Sequence, residues 1–487
     1  MQNKPKIMST VLATHGLNFR PAWLELSYSR WELLAPSWTA RKQLLESRNE
    51  YSAYQKDAFH KWGADFLMLQ GVVHFSPETW AIYAKNGYDP IALTAGSTYP
   101  SPTEAHMHLT SLVNAMEALR ELSQTDRPLD LGTFTTILQK ALGGTLTLRT
   151  NSSNGPTRGL PSTEVEAAFG ALLSEMHNQL NAGSSPIAVA AWAHHAFTQI
   201  RPFADGNARA AFLFTQYILW RSGLPGIYLK PYHRVTYYRS LQKADQSHYL
   251  PLVQLFLTGL QEAVLYTLSW TGIQQSSYES ALNTFNQRLA EWRSHHDRER
   301  SQRIMHNRYT VFDYMEETLR SIAGDLNQKL KNEEGRGARA LVAKAYPDSP
   351  YYYQFTSDIV EYARKNGYHF NRGLPRGWFK LKFALSASKK YQLVFTLHHA
   401  GYDDATLVVG AFLHFLEPLK YQQKRIGRNR ASRRKEKVKY LFSLLPLQVA
   451  PIAFCIEKDV PAVRTLLREY AEGLFGEVLS EISNEIY

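Results

Sequence analysis

Apolar residues recur at helical spacing through the first two thirds of the chain and alternate in short runs near its end. Ser101-Pro102-Thr103-Glu104 combines a capping residue, a first-turn proline and an early acid, and Leu109, Leu112, Val113, Met116 and Leu119 follow as one helical stripe. After a break at Pro128, a second helix is predicted from Leu131 to Leu142, stopped by Gly143-Gly144. Thr145 to Leu160 alternates Leu with Thr and then gathers turn formers, Asn151 to Pro156, which predicts a short strand or hairpin with an exposed tip. Helix resumes at Ser162 and runs to Leu180. Ser185 caps the next one, with Pro186 at its first position. That helix is apolar nearly all round (Ile187, Val189, Ala190, Ala191, Trp192, Phe197, Ile200), as is Ala210 to Trp220, so both belong inside the fold. Gly223 and Pro225 stop the second.

Further on, Tyr278 to Lys331 reads as long charged helices, with a break at Gly335-Arg336-Gly337. Strands are then expected at Trp378–Leu385, Tyr391–His398, Thr406–Phe415 and Leu447–Ile456. A final helix is capped by Asp459, with Leu466, Leu467, Tyr470, Leu474 and Val478 as its buried stripe. The expected fold is mainly α with a C-terminal α+β domain. Its expected divisions are an N-terminal helical region at 1–95, a helical core at 96–262, a helical linker at 263–335 and the α+β domain at 336–487. A length of 487 residues suits several domains.

Charge adds one feature. Lys424 to Lys439 holds nine Lys or Arg and one acid, Glu436, and so supplies +8 of the net +12. This run, 424–439, is a candidate for phosphate contacts on nucleic acid or on an anionic membrane surface, or a solvated loop; it lacks aromatics for base stacking. The single cysteine, Cys455, leaves no internal disulfide and no Cys-based zinc cluster, and fits a reducing compartment. No His-Glu-x-x-His spacing occurs, and His295-His296 reads as part of a solvated helix face. The apolar stretch Tyr440–Ile456 is interrupted by Pro446, Gln448 and Pro451 and reads as buried strand and loop, so no transmembrane segment is expected. No signal peptide is visible. The expected location is cytoplasmic, with non-classical export left open.

Between the two buried helices lies Arg201-Pro-Phe-Ala-Asp205-Gly206-Asn207-Ala208-Arg209, a polar loop that delivers Asp205, Asn207 and Arg209 to a helix N-terminus. Unpaired N–H groups, the helix dipole and a guanidinium make such a place suited to anions. The stretch resembles the signature of the Fic (Fido) family, His-x-Phe-x-Asp/Glu-Gly-Asn-Gly-Arg-x-x-Arg. The flanks agree: His194 to Ile200 resembles the preceding helix, Tyr238 to Phe256 the closing helices, and Thr145 to Leu160 the position of the family's β-hairpin flap, so the resemblance covers Thr98 to Leu260.

The resemblance implies a Fic-type helical core at 96–262 and transfer of a nucleoside monophosphate, usually AMP from ATP, to a hydroxyl of a target protein. Arg201 stands at the position of the family's general base, and Asn207 is carried over with it as catalytic. Asp205 would hold Mg²⁺, and Gly206, Asn207, Ala208 and Arg209 would cradle phosphate. Cofactors implied are Mg²⁺ and ATP or another NTP, and the implied partner is a target protein whose identity the sequence does not give. Three positions depart from the pattern. Arg201 replaces the His and cannot accept a proton. Ala208 replaces Gly, and Phe212 replaces the second Arg. Two readings stay open: protein modification of the AMPylation type without the usual base, or a catalytically inactive nucleotide- or phosphate-binding scaffold. Glu104 is an ordinary helix-start acid or a candidate for the autoinhibitory Glu of many relatives, although Ala105 and Pro100 depart from that motif. His194 and His195 stand too far along their helix to replace the base and are expected to pack or cap.

Overall fold

The computed structural model describes residues 29–125, 127, 129–141, 160–271, 298–329, 340–384, 390–418, 440–445, 450–458 and 460–486, with Leu12, Leu17 and Phe19. The chain divides into two units, one formed by Met1–Glu32 with Trp38–Ile273, the other by Leu33–Ser37 with Gln274–Tyr487. Among the described residues, the helices of the first are α1 (Ser29–Ser47, apart from Leu33–Ser37, which groups with the second), α2 (Tyr51–Gln70), α3 (Pro77–Lys85), α4 (Pro102–Ser123), α5 (Leu131–Ala141), α6 (Ser162–Asn181), α7 (Pro186–Ile200), α8 (Asn207–Arg221), α9 (Arg234–Ala244) and α10 (Leu250–Ser269). A two-stranded antiparallel ribbon, β1 (His74–Phe75) with β2 (Thr98–Tyr99), joins them.

The expected boundaries hold within a residue or two for α4 to α7. Ser101 caps α4 through a capping box with Glu104, worth about 1 kcal/mol, and the Ser185 hydroxyl accepts the Ala188 N–H at the start of α7. α8 starts three residues earlier than expected, at Asn207, because Gly206 supplies the left-handed turn that lets the helix begin there. α7 and α8 pack together at the centre. α6 and α10 lie against α7, α4 lies against α8, and α2 lies against α4. Phe134, Phe169, Phe197 and Phe214, from four of these helices, form one aromatic cluster with ring centroids 5.4 to 6.2 Å apart. Truncating any of them costs roughly 3–5 kcal/mol. The far end of α8 is clamped by Gln216. Its amide donates to the Ile227 carbonyl at 2.7 Å and accepts the Ile227 N–H at 3.0 Å. Gly226 has φ +96°, and a Cβ there would meet Gln216 Oε1 at 2.4 Å.

The second unit contains α11 (Arg298–Lys329), β3 (Leu341–Ala345), α12 (Thr356–Asn366), β4 (Gly377–Ala384), β5 (Lys390–His399), β6 (Thr406–Pro418), β7 (Tyr440–Leu445), β8 (Ile452–Cys455) and α13 (Pro461–Ile486). The sheet is antiparallel in the order β3-β4-β5-β6-β7, with β8 on the same edge of β6 as β7. One face carries Phe379, Leu381, Phe383, Leu393, Phe395, Leu397, Leu407 and Val409 into a core with α11 and α13. The predicted stripe of the last helix, Leu466 to Val478, lies in that core. Trp378, Val394 and Phe412 point to the other face, against Phe355 and Tyr362. β3 had no sequence signal, since Leu341-Val-Ala-Lys-Ala345 is an edge strand exposed at three of its five positions. His398 and His399 are the last two residues of β5 and are fully buried. Asp459, the basic run 424–439, the hairpin expected at 145–160 (all but Leu160), Gly335–Gly337 and His295-His296 lie outside the described residues. Among the described residues, no helix is long and apolar enough to cross a membrane.

Burial sets the titration of four histidines. It pushes His194, His398 and His399 down to about 3 and His233 down to about 4, with nearby positive charge adding to burial at His233, His398 and His399. These imidazoles stay neutral in the fold, whereas in the unfolded chain they titrate near 6.5. Stability is therefore complete above about pH 6.5. Below it the unfolded chain takes up the protons that the fold refuses, and each histidine removes about 1.4 kcal/mol per pH unit down to its folded value. Urea midpoints should be level from pH 8 to 7 and fall steeply from pH 6 to 4.5; a level midpoint down to pH 4.5 contradicts four buried neutral imidazoles.

Candidate functional site

The loop between α7 and α8 is built by three local constraints. Pro202 disfavours helix for the residue before it, and Arg201 leaves α7 in the left-handed region (φ 50°, ψ 62°) with its N–H on the Phe197 carbonyl at 3.0 Å. Phe203, 1% exposed, anchors the loop beside Phe197, with ring centroids 6.2 Å apart. The Asn207 carboxamide then closes the turn. It accepts the Phe203 N–H at 3.0 Å and donates to the Phe203 carbonyl at 2.7 Å. Gly206 (φ 76°, ψ 8°) precedes α8, and its carbonyl accepts the first helical bond, from the Ala210 N–H.

The residues named from the sequence fall as follows. Asp205, Gly206, Asn207, Ala208 and Arg209 all lie on this loop and the first turn of α8. The Asp205 carboxylate is 97% exposed and sits 3.5 Å from the Arg209 guanidinium, whose side chain is 15% exposed. An ion pair with one fully solvated partner is weak, so its members can exchange partners for a ligand at little cost. Arg201 is half-buried at the end of α7. Asn207 is committed to holding the loop, because both ends of its amide are used on Phe203. Phe212, one turn below Arg209, is fully buried and stacks on Phe66 at 4.0 Å and 12°. The position of the family's second Arg therefore belongs here to the interior.

Glu104 lies at the start of α4, with its carboxylate taken by the Ser101 hydroxyl (2.8 Å) and N–H (3.2 Å). His194 and His195 are interior, as expected. His194 pairs with Thr215 and Tyr237, both at 2.8 Å, and His195 with Tyr249 at 2.7 Å and Asp245 at 2.8 Å. Burial pushes His195 below the ordinary histidine range despite the opposing pull of Asp245.

One neighbour of the loop was not foreseen. His108, half-exposed on α4, is lowered first by burial and then by the positive charge of Arg209, against the opposing pull of Glu104 and Asp205. In the sequence it merely flanks the Leu109–Leu112–Met116 stripe, about a hundred residues before the loop. Nothing there marks it except its place at the edge of a buried face.

Comparison with known proteins agrees with this loop. Residues 128–219, from just before α5 almost to the end of α8, match the Fic/DOC family model, so the chain carries a Fic/DOC family segment that contains the loop. Over 103 residues it is 35% identical to the "Protein adenylyltransferase Fic" of Culex quinquefasciatus, covering 20% of each chain. Over 104 residues it is 34% identical to the "Protein adenylyltransferase fic-1" of Caenorhabditis elegans, covering 21% of this chain and 20% of the relative. The matched region thus spans about a fifth of the length of these curated relatives. Among solved structures, a Fic domain containing signaling protein from Bacteroides thetaiotaomicron aligns with TM-score 0.41 and 18% identity, over 49% of this chain and 96% of that one.

The loop geometry makes a test of Asn207. Asn207→Ala leaves the Phe203 N–H and carbonyl buried and unpaired, which should cost about 2–3 kcal/mol in urea denaturation. Asn207→Asp should not restore this, because a carboxylate oxygen would then face the Phe203 carbonyl; wild-type stability in either variant would show that the amide does not hold the turn.

Proposed function

We propose that this chain binds a nucleoside triphosphate at the Asp205–Arg209 loop and uses it to modify a hydroxyl on a target protein, a reaction of the AMPylation type. The observation that carries this is the Asp-Gly-Asn-x-Arg loop, held in shape by Phe203 and Asn207 at the N-terminus of a buried helix, inside the segment that matches the Fic/DOC family. The adenylyltransferase names of the relatives support the nucleotide and the reaction class.

Each residue then has a task set by its geometry. The N–H groups of Asn207, Ala208 and Arg209 have no partner within α8 by the geometry of a helix start, and they offer donors to phosphate oxygens. Arg209 adds a charge that is already desolvated on one side. A Mg²⁺ ion fits the Asp205 carboxylate, an exposed hard oxygen donor of the kind Mg²⁺ takes together with substrate phosphates. When bound, it would neutralise charge on the leaving pyrophosphate. Ala208 adds one methyl to the first turn, which narrows the approach of phosphate to the backbone.

Arg201 decides the activity. Its guanidinium stays protonated and accepts no proton from the attacking hydroxyl. Loss of a general base costs roughly 10²–10⁴ in rate, so transfer at this site is slow or depends on positioning and charge alone. The same residue favours the second reading, a nucleotide- or phosphate-binding regulator without catalysis. A cytoplasmic setting suits either.

Incubation with Mg²⁺ and α-³²P-labelled ATP, CTP, GTP and UTP, with a cell lysate as acceptor, separates the two. Label transferred by the native chain and lost in Asp205→Ala establishes a transferase without the usual base. Label only in Arg201→His, at least tenfold above the native chain, identifies a binding site that lacks only its base. Nucleotide binding without label in any form supports the regulator, and absence of binding in calorimetry rejects both.

A further inference from the structure

A cavity lies at the far end of α8, between α1, α2 and the C-terminal ends of α4 and α8, with all its lining residues in the unit that carries the loop. Trp220 on its wall is thirteen residues along α8 from Asn207, about 20 Å away at 1.5 Å per residue. The space amounts to about 240 Å³, its mouth included. Sites for drug-sized ligands run from roughly 300 to 1,000 Å³, so this one suits something smaller than a nucleotide. Six aromatic rings line it, those of Trp38, Tyr51, Tyr54, Phe59, Trp62 and Trp220, together with Arg120 and no acid.

Several polar atoms of the wall are already paired. The Trp38 indole N–H donates to the Gly223 carbonyl at 3.4 Å and the Trp220 N–H to the Pro225 carbonyl at 3.0 Å, while the Tyr54 hydroxyl pairs with Thr267 at 2.7 Å. Three donors are left over. The Trp62 indole N–H is buried without a hydrogen-bond partner. Arg120, 9% exposed, donates to the Tyr51 hydroxyl at 3.2 Å and lies 5.9 Å from the centroid of the Trp220 ring. Among the described residues, no carboxylate pairs with it; Glu46, whose charge reaches Tyr51, stands 3.5 Å from Lys42. The Tyr51 hydroxyl accepts the Arg120 bond and keeps its own proton to donate, because burial raises the phenol above its ordinary range against the pull of Arg120.

A buried charge is ordinarily paired, because an unpaired one costs several kcal/mol. An aromatic face offsets only about 0.5–2 kcal/mol of that. The wall therefore combines a cation short of a counter-charge with two further donors and a set of flat apolar surfaces. We propose that this cavity binds a small carboxylate with a flat apolar body, the carboxylate on Arg120 and Tyr51 and the body among the rings. The guanidinium fork matches the two oxygens of a carboxylate, and the rings reward a planar body that an inorganic anion lacks. The inference does not depend on the nucleotide-binding reading of the loop.

The test is calorimetric titration of the full-length protein with benzoate, with acetate and inorganic phosphate alongside. Benzoate should bind with a dissociation constant below about 1 mM, and more tightly than acetate. Arg120→Met keeps an apolar stem and removes the charge; with a near-ultraviolet circular dichroism spectrum like that of wild type, it should bind benzoate at least about tenfold more weakly. Tyr51→Phe keeps the ring and removes one donor, so it should weaken benzoate severalfold, and it decides the matter should Arg120→Met fail to fold. Absence of benzoate binding to wild type, or equal binding in wild type and a folded variant, would overturn the proposal. Arg120-dependent binding of phosphate without benzoate would overturn the assignment to a carboxylate, and acetate binding as tightly as benzoate would overturn the role of the rings.

Discussion

The site depends on a short exchange of hydrogen bonds between one side chain and one backbone residue. The Asn207 carboxamide takes both the N–H and the C=O of Phe203 and thereby closes the loop that joins two buried helices. Everything polar in the site is placed by that closure. Asp205 and Gly206 fall inside the ring it forms, and Ala208 and Arg209 follow it on the first turn of α8. The bonds are protected because Phe203 sits beside Phe197 at the edge of an aromatic cluster drawn from four helices. A core that packs only by volume would leave the loop free to adopt several forms. Here the packing of one ring and the geometry of one amide select one.

Much of this was legible in the sequence. The two helices that are apolar on all sides could only be interior, and a run of charge between them had to emerge at a helix start. Caps at Ser101 and Ser185 and the alternation of the C-terminal strands marked their elements directly. What escaped notice has physical reasons. β3 is an exposed edge whose residues show no alternation, because most of them face solvent. α8 begins earlier than its apolar run, because the start is set by Gly206 and Asn207 rather than by hydrophobicity. His108 was missed because an electrostatic neighbour about a hundred residues away along the chain leaves no local pattern. The commitment of Asn207 to the loop was also invisible, since sequence gives a residue type and not the direction in which its amide is turned.

The departures from the family pattern are not alike. Phe212 has been absorbed by the interior, where its ring packs on Phe66 and leaves no space for a charged side chain. Arg201, in contrast, stands half-buried at the end of α7, where its left-handed backbone carries the chain out of the helix. The first change is tied to the fold and would be costly to reverse.

α8 is held at both ends by carboxamides, Asn207 on Phe203 and Gln216 on Ile227, each satisfying one donor and one acceptor outside the helix. Such a helix cannot shift along its axis or unwind at its first turn without breaking paired buried bonds. Fixing a flexible residue on binding costs roughly 1–2 kcal/mol of backbone entropy. The six residues from Arg201 to Gly206 are instead ordered when the chain folds. Under the proposed reading, the free energy of association would go to affinity and to discrimination between ligands, and not to building the site.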